Sequence, residues 1–468
     1  YSLFFLMTIT DFLSHTNKPY LLSELLTQAK KKNEHNPAVL RRDDDYIQSC
    51  QDLQFSKTVQ GCPIVIKDNI LLEGTVSTFG SQIGIHYRAP YSATVSRKLE
   101  DAGFLILGKT TMDEFAMGTT GENSPYPIPH NAIDDNLVAG WSSSGSAVAV
   151  AEHMVPVALW TDTGGSVRLP AAFNGIIWLK PTYGSVSRYG VQAMGSSFDQ
   201  VWVFATTIED TKTVFDIIKG KDDYDATTKD FQYKQTISDL QWVRIGLPQQ
   251  YFAEGLDPAI KSSIESAITR YKEQGAVIID LDIPLIDAGV SVYYTLVNSE
   301  VSSNLARFDG LKFGLQHDTR ESSSHMDYLA TIRGQGFGDE VKRRILLGAH
   351  ILSASEYEWL YVKAMNIRTA VTKQFIQHFT NDVDVIMGPT TPFLPWQLGK
   401  TNDDPVANYL ADAYTVIANI TGMPALSIPA WYVETDNKKL PVWLQLMGNH
   451  ASEYDLFFIA DQFLKAQQ

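Results

Sequence analysis

The chain has 468 residues, 44% hydrophobic and 19% charged, an ordinary globular composition of a length that suits two or three domains or one large α/β sheet. Its 53 acidic against 38 basic residues give a formal net charge of −15, which excludes a nucleic-acid footprint built from this chain alone, because phosphate binding needs clustered Lys and Arg. Two cysteines, Cys50 and Cys62, exclude a disulfide framework and read as free thiols, and no apolar run approaches the roughly 18–20 residues that cross a bilayer.

The apolar start, Tyr1 to Met7, is short, is interrupted by Thr8, Thr10 and Asp11, and has no basic region ahead of it, so it does not read as a signal peptide. A first residue other than Met suggests that something has been removed. Residues 1–60 read as an N-terminal helical segment packed on the body, with Leu21, Leu22, Leu25 and Leu26 at helical spacing. From Gly61 onward, helical patterns alternate with short apolar runs, the signature of an α/β sheet with covering helices. A helix beginning at Thr94 is stopped by Gly103 and followed by strand 104–107. A helix over 147–153 leads into strand 155–159, one over 257–274 into strand 276–279, and one over 355–379 into strand 383–387. Strands near 425–430 and 441–447 precede a last helix through 453–466. Residues 61–468 read as a single domain with peripheral insertions at about 219–236 and 304–350, since no stretch has the composition of a linker.

Gly103 to Thr110 fits the phosphate-loop pattern GxxxxGK[ST]. A phosphate cradle follows a strand and opens a helix, with backbone N–H groups free to turn inward. Here a helix comes first and the four intervening residues are bulky and strand-forming, so the segment reads as a strand and implies no ATP site. The ten histidines show no metal-ligand spacing, and Gly140 to Gly145 is one residue too long for a GxSxG elbow.

Two serine and glycine segments carry the chemistry. Ser142, Ser143 and Ser144 lead into one helix, and Thr163-Gly164-Gly165-Ser166 follows the next strand; Ser142 stands 75 residues after Lys67, and Ser166 a further 24 on. Such segments are commonly flexible loops, but a floppy linker is out of place beside a patterned helix and strand. Successive amides at Thr163, Gly164 and Gly165 can converge as an anion-binding nest beside a serine hydroxyl.

These segments resemble the amidase signature family, whose members use a lysine, a relay serine and a nucleophilic serine; the likeness runs from about residue 60 to the end. Gly108–Gly118, Leu179–Gly190, Ser196–Gln200, Ser302–Gly310 and Val341–Gly348 are similar to one branch, the A subunits of glutamyl-tRNA(Gln) amidotransferases. The resemblance implies a large mixed central sheet covered by helices on both faces. It implies Ser166 as nucleophile, Ser142 as relay, Lys67 as base, Ser143 as a structural neighbour, and backbone N–H groups from Thr163, Gly164 and Gly165 to Ser166 as the oxyanion hole. Arg344 would grip the α-carboxylate of L-glutamine, Asp412 its α-ammonium, and Tyr293 would line the pocket; from the residues alone, Arg344 and Asp412 read as solvated surface charges. It further implies no metal or cofactor in this chain. Ammonia would pass to a B-type partner subunit that holds Glu-tRNA(Gln), ATP and Mg²⁺, with a small third subunit completing the assembly. Such systems suggest a mitochondrial matrix location, with a bacterial cytoplasm as the alternative.

The chain departs from the family pattern at Trp141 and Ser144, where glycine is usual, and at Trp160 and Trp178, where small residues are usual. The family's peptide bond before the relay serine is cis, and a bulky residue there needs support from its surroundings. Two other readings stand beside the first: a stand-alone amidase on another small amide, and a structural subunit with a collapsed site. The chemistry in each enzymatic reading needs Lys67 neutral near pH 7, and burial among hydroxyls is what would achieve that.

Overall fold

Six short apolar runs, 63–67, 105–110, 157–162, 177–180, 200–205 and 385–389, become strands that are buried at every position, which requires cover on both faces. The computed structural model describes residues 7–42, 44–166, 168–253, 255–312, 314–318, 322–400, 410–435 and 438–467; the apolar start up to Leu6 and the side chain of Cys50 lie outside them, and Cys62 is a buried free thiol. Among these residues eleven strands share one sheet. In chain order they are β1 (Val39–Arg42), β2 (Pro63–Lys67), β3 (Leu105–Thr110), β4 (Val157–Asp162), β5 (Ile177–Lys180) and β6 (Gln200–Ala205). They continue with β7 (Arg244–Pro248), β8 (Val277–Leu281), β9 (Val385–Pro389), β10 (Ala425–Thr435) and β11 (Lys438–Met447). The order across the sheet is β1-β3-β2-β4-β6-β5-β10-β11-β9-β7-β8.

The sheet is mixed. Strands β3, β2 and β4 run parallel, as do β9, β7 and β8, and antiparallel pairs join the two groups. Parallel neighbours need crossovers, and helices Thr94–Ala102 and Ser144–Ala151 occupy the β2–β3 and β3–β4 connections. The first ends on Gly103, whose φ of 103° is the left-handed cap a glycine takes without strain. The second, of Ser, Gly, Ala and Val only, is buried over seven of its eight residues, so only small side chains fit there.

The sequence reading places helix over 147–153 and strand over 155–159; the structure moves both, to 144–151 and 157–162. The segment fitting the phosphate-loop pattern is strand β3, inserted between β1 and β2. Its Lys109 is buried and donates to Ser77 Oγ at 2.9 Å and to the Ile70 carbonyl, leaving no cradle. Residues 1–60 are not helical throughout: β1 pairs antiparallel with β3, so this segment extends the sheet as well as covering it. No helix among the described residues is long and apolar enough to cross a membrane.

Candidate active site

Parallel pairing of β2 with β4 sets Ile66 opposite Leu159. The carboxyl ends of both strands therefore open at one edge, where ligand sites of α/β sheets form. Lys67 ends β2; Thr161 and Asp162 end β4, and the chain then turns through Thr163–Ser166 into helix Arg168–Asn174. Lys67 is fully buried, with Nζ 2.8 Å from Ser142 Oγ, 2.7 Å from Ser143 Oγ and 3.3 Å from the Thr161 carbonyl. Burial pushes its amine from 10.5 down to about 7, against the opposing pull of Asp113, Asp162 and Asp199. A neutral amine has two N–H groups and one lone pair. Ser143 Oγ and the Thr161 carbonyl can take the two N–H groups, leaving the lone pair for the Ser142 hydroxyl.

Ser166 is 8% exposed, and its hydroxyl has no hydrogen bond among the described residues. The structure thus brings Lys67, Ser142 and Ser143 together and leaves the step from Ser142 to Ser166 unclosed. The glycine loop before Ser166 is braced from both sides. Thr163 Oγ1 donates to Asp199 Oδ1 at 2.8 Å, and the Gly164 carbonyl accepts from Thr415 Oγ1 at 2.8 Å and Arg168 Nη2 at 3.1 Å. The N–H groups of Gly164, Gly165 and Ser166 have no acceptor among the described residues, as an oxyanion site requires. A Cβ on Gly164 would lie 2.2 Å from the Tyr293 ring, and one on Gly165 2.1 Å from Asp412 Oδ1. Glycine is required at both positions because these two side chains press directly on the loop.

Arg344 and Asp412 are not surface charges: they are 2% and 3% exposed. Burial raises the Asp412 carboxyl from 3.8 to about 6 even though Tyr294, Trp141 and Arg168 favour its anion. Arg344 Nε pairs with Glu340 at 2.7 Å, and its guanidinium lies 5.5 Å from the centre of the Tyr294 ring. Tyr294 OH donates to Asp412 Oδ2 at 2.7 Å. Of the two adjacent tyrosines, then, Tyr293 walls the glycine loop and Tyr294 touches both charged groups. Sequence reasoning singled out Tyr293 alone.

One expectation fails. No peptide bond among the described residues is cis, including the one before Ser142. The reversal is made instead by two successive left-handed residues, Gly140 at φ 87° and Trp141 at φ 45°, a conformation that costs a non-glycine residue about 1–2 kcal/mol. Trp141 packs edge-on against Phe173 and Trp396, in a small apolar cluster with Val138, Leu169 and Ala411.

Other residues that hold the site escaped the sequence reading. Arg168, fully buried, donates to the Gly164 and Thr415 carbonyls and to Asn419, stands 3.6 Å from Asp162, and faces the Trp178 and Trp202 rings. It ties the serine loop to the segment that carries Asp412. Asp199, whose carboxyl burial raises to about 6, lay within the segment Ser196–Gln200 as a pattern without a role. No cluster of three or more His, Cys, Asp or Glu among the described residues could hold a metal ion.

A mixed α/β sheet that presents a buried lysine, serine hydroxyls and a glycine loop at the ends of parallel strands defines an amide-hydrolysing class of enzyme. The chain belongs to the amidase family, whose sequence model matches residues 21–457. It is 42% identical over 418 residues to the A subunit of glutamyl-tRNA(Gln) amidotransferase from Persephonella marina, covering 88% of this chain and 85% of that protein. It is 45% identical over 399 residues to the protein of the same name from Prosthecochloris aestuarii, covering 84% and 82%. Among solved structures, the glutamyl-tRNA(Gln) amidotransferase A subunit of Thermotoga maritima superposes with a TM-score of 0.80 at 32% identity, covering 97% of this chain and 93% of that one.

Proposed function

We propose that this chain is the glutaminase subunit of a glutamyl-tRNA(Gln) amidotransferase, cleaving the side-chain amide of L-glutamine and supplying the ammonia that converts Glu-tRNA(Gln) to Gln-tRNA(Gln). The family and the relatives above support the enzyme class. The observation that carries the mechanism is the buried Lys67 amine, held at about 7 with Ser142 Oγ at 2.8 Å. Lys67 takes the Ser142 proton while Ser142 takes that of Ser166, and Ser166 Oγ attacks the amide carbon. The N–H groups of the 163–166 loop receive the oxyanion. The relay then runs backward to protonate the departing nitrogen as ammonia, and water, deprotonated by the same route, cleaves the glutamyl ester. Ser143 holds the lysine in place.

In this reading Arg344 binds the α-carboxylate and Asp412 the α-ammonium of the substrate. A B-type partner subunit holds Glu-tRNA(Gln), ATP and Mg²⁺, in keeping with the acidic charge of this chain, and a small third subunit completes the complex. For the compartment, the bacterial relatives support a bacterial cytoplasm, while the mitochondrial matrix rests on the departures at Trp141, Ser144, Trp160 and Trp178.

The test is ammonia release from glutamine by the chain with its co-purifying partners. Asp412→Asn removes the charge that faces the ammonium and should raise the KM for glutamine by about 10- to 100-fold, as loss of a charge-assisted hydrogen bond does. Unchanged glutamine hydrolysis by this variant would favour a stand-alone amidase acting on some other amide.

A further inference from the structure

Among the buried groups that the mechanism above does not use is the indole N–H of Trp141. Among the described residues six tryptophan indole nitrogens are buried around the sheet and the site, and five of them, the Nε1 atoms of Trp160, Trp178, Trp202, Trp396 and Trp443, have no hydrogen-bond partner there. Trp141 is the exception, with Nε1 donating to Asp412 Oδ1 at 2.9 Å across 271 residues of sequence. The ring is fixed by edge-on contacts with Phe173 and Trp396 at 5.7 and 5.8 Å, and its backbone holds φ 45° in spite of the cost. Its position is particular as well. Trp141 immediately precedes Ser142, so one residue joins the carboxylate to the start of the serine turn. Tyr294 OH engages the other oxygen, Oδ2. The carboxylate is thereby held from two sides, one donor from the 141–142 turn and one from helix Gly289–Asn304.

Resting on the reading of Asp412 as the ammonium acceptor, we propose that Trp141 is a positioning residue that orients the Asp412 carboxylate for the substrate's α-ammonium and links that carboxylate to the turn bearing Ser142. A carboxylate oxygen can accept more than one hydrogen bond, so the indole fixes the direction of Oδ1 without consuming its capacity. The charged and titratable groups around this carboxylate are Tyr293 and Tyr294 on one helix, Arg168 on another and Asp162 at the end of β4; Asp162 raises its proton affinity, while Tyr294, Arg168 and Trp141 lower it. Loss of the indole N–H therefore makes the anion harder to keep, and the acid limb of the ratio of kcat/KM for glutamine to that for glutarate monoamide, in which the shared Lys67 limb cancels, moves toward neutral pH.

The experiment compares Trp141→Phe with the native chain, each in complex with its co-purifying partners, on two substrates: L-glutamine and glutarate monoamide, which has the same carboxylate and amide but no ammonium. Phenylalanine keeps a six-membered ring in the apolar cluster and removes the donor together with the five-membered ring that carries it; the volume lost affects both substrates alike, whereas loss of the donor does not. The expected result is a KM for glutamine raised about tenfold, with kcat changed much less, a clearly smaller loss on glutarate monoamide, and an acid limb displaced to higher pH in the ratio of kcat/KM for the two substrates. Equal losses on the two substrates, whether from misfolding or from a disturbed serine turn, would overturn the proposal, as would an unchanged KM and pH limb. Asp412→Asn, measured alongside, separates the two failures. If that variant discriminates between the substrates and Trp141→Phe does not, only the role of Trp141 falls; if neither discriminates, the reading of Asp412 falls with it.

Discussion

Ser166→Ala should reduce ammonia release from glutamine by about 10⁴-fold or more, because in the proposed mechanism it removes the atom that forms the ester and leaves only the binding groups and the loop amides. The loss is expected without unfolding. The Ser166 hydroxyl makes no hydrogen bond among the described residues, so its removal orphans no buried partner. The side chain is also small and slightly exposed. The midpoint of thermal unfolding should therefore stay within about 2 °C of the native value, a surface-like effect of under about 0.5 kcal/mol. A second measurement separates the nucleophile from its context. With ammonium salt supplied in place of glutamine, the variant complex should still convert Glu-tRNA(Gln) at the native rate, since the partner's chemistry does not pass through Ser166. Glutamine hydrolysis surviving the substitution would remove Ser166 from the mechanism. Loss of the ammonium-driven reaction would mean that the serine supports the assembly instead.

The alternation of amphipathic helix and short apolar run was enough to read an α/β sheet from residue 61 onward, because most strands of that pattern are buried on both faces and must be apolar throughout. Strand β1 was not legible for the opposite reason. Its Val39, Leu40, Arg41 and Arg42 are only partly buried or exposed, an edge strand of four residues with no apolar period to detect. The serines and the lysine were legible as a set because their chemistry is unusual at that spacing. What positions them was not. Arg168, Asp199 and Asn419 act through partners up to 277 residues distant, and only the register of β4 with β6, which sets Asp162 opposite Gln200, brings Asp199 beside the loop. Arg344 and Asp412 show the same limit. Local composition assigns a charged residue to the surface, and burial becomes visible only when helices Gly289–Asn304 and Asp339–Ile351 close over the site. Trp141 is a different lesson. From sequence it is an obstacle to a tight turn, and in three dimensions its bulk fills an apolar cluster while its N–H finds a carboxylate.

Lys67→Met tests the base and the cost of keeping it. General-base removal should lower glutamine hydrolysis on the order of 10³-fold, and the native chain should show a kcat limb near pH 7, with activity rising as the amine loses its proton. The same substitution should make the protein more stable. The unfolded chain keeps a lysine charged up to about 10.5, whereas the folded chain holds it neutral down to about 7, which at pH 7 costs about 4 kcal/mol. Methionine, of similar length and apolar, avoids that cost. It leaves Ser142 without its nitrogen partner, while Ser143 keeps the Thr161 carbonyl at 3.4 Å; that offsets about 1–3 kcal/mol. A net gain of about 1–3 kcal/mol is expected. Its pH dependence follows from the sign. A lysine depressed in the folded state destabilises fully below pH 7, and the penalty fades as pH climbs from 7 toward 10.5, where the unfolded chain also loses the proton. Denaturant midpoints at pH 6.5 and pH 9.5 should therefore separate native and variant widely at the first and narrowly at the second. Equal separation at both would mean that the amine is not desolvated, and a lysine that remains charged cannot take the proton from Ser142. A site that gives up stability to keep one amine uncharged is the physical form of the trade between activity and stability, and here it falls on the residue where β2 ends.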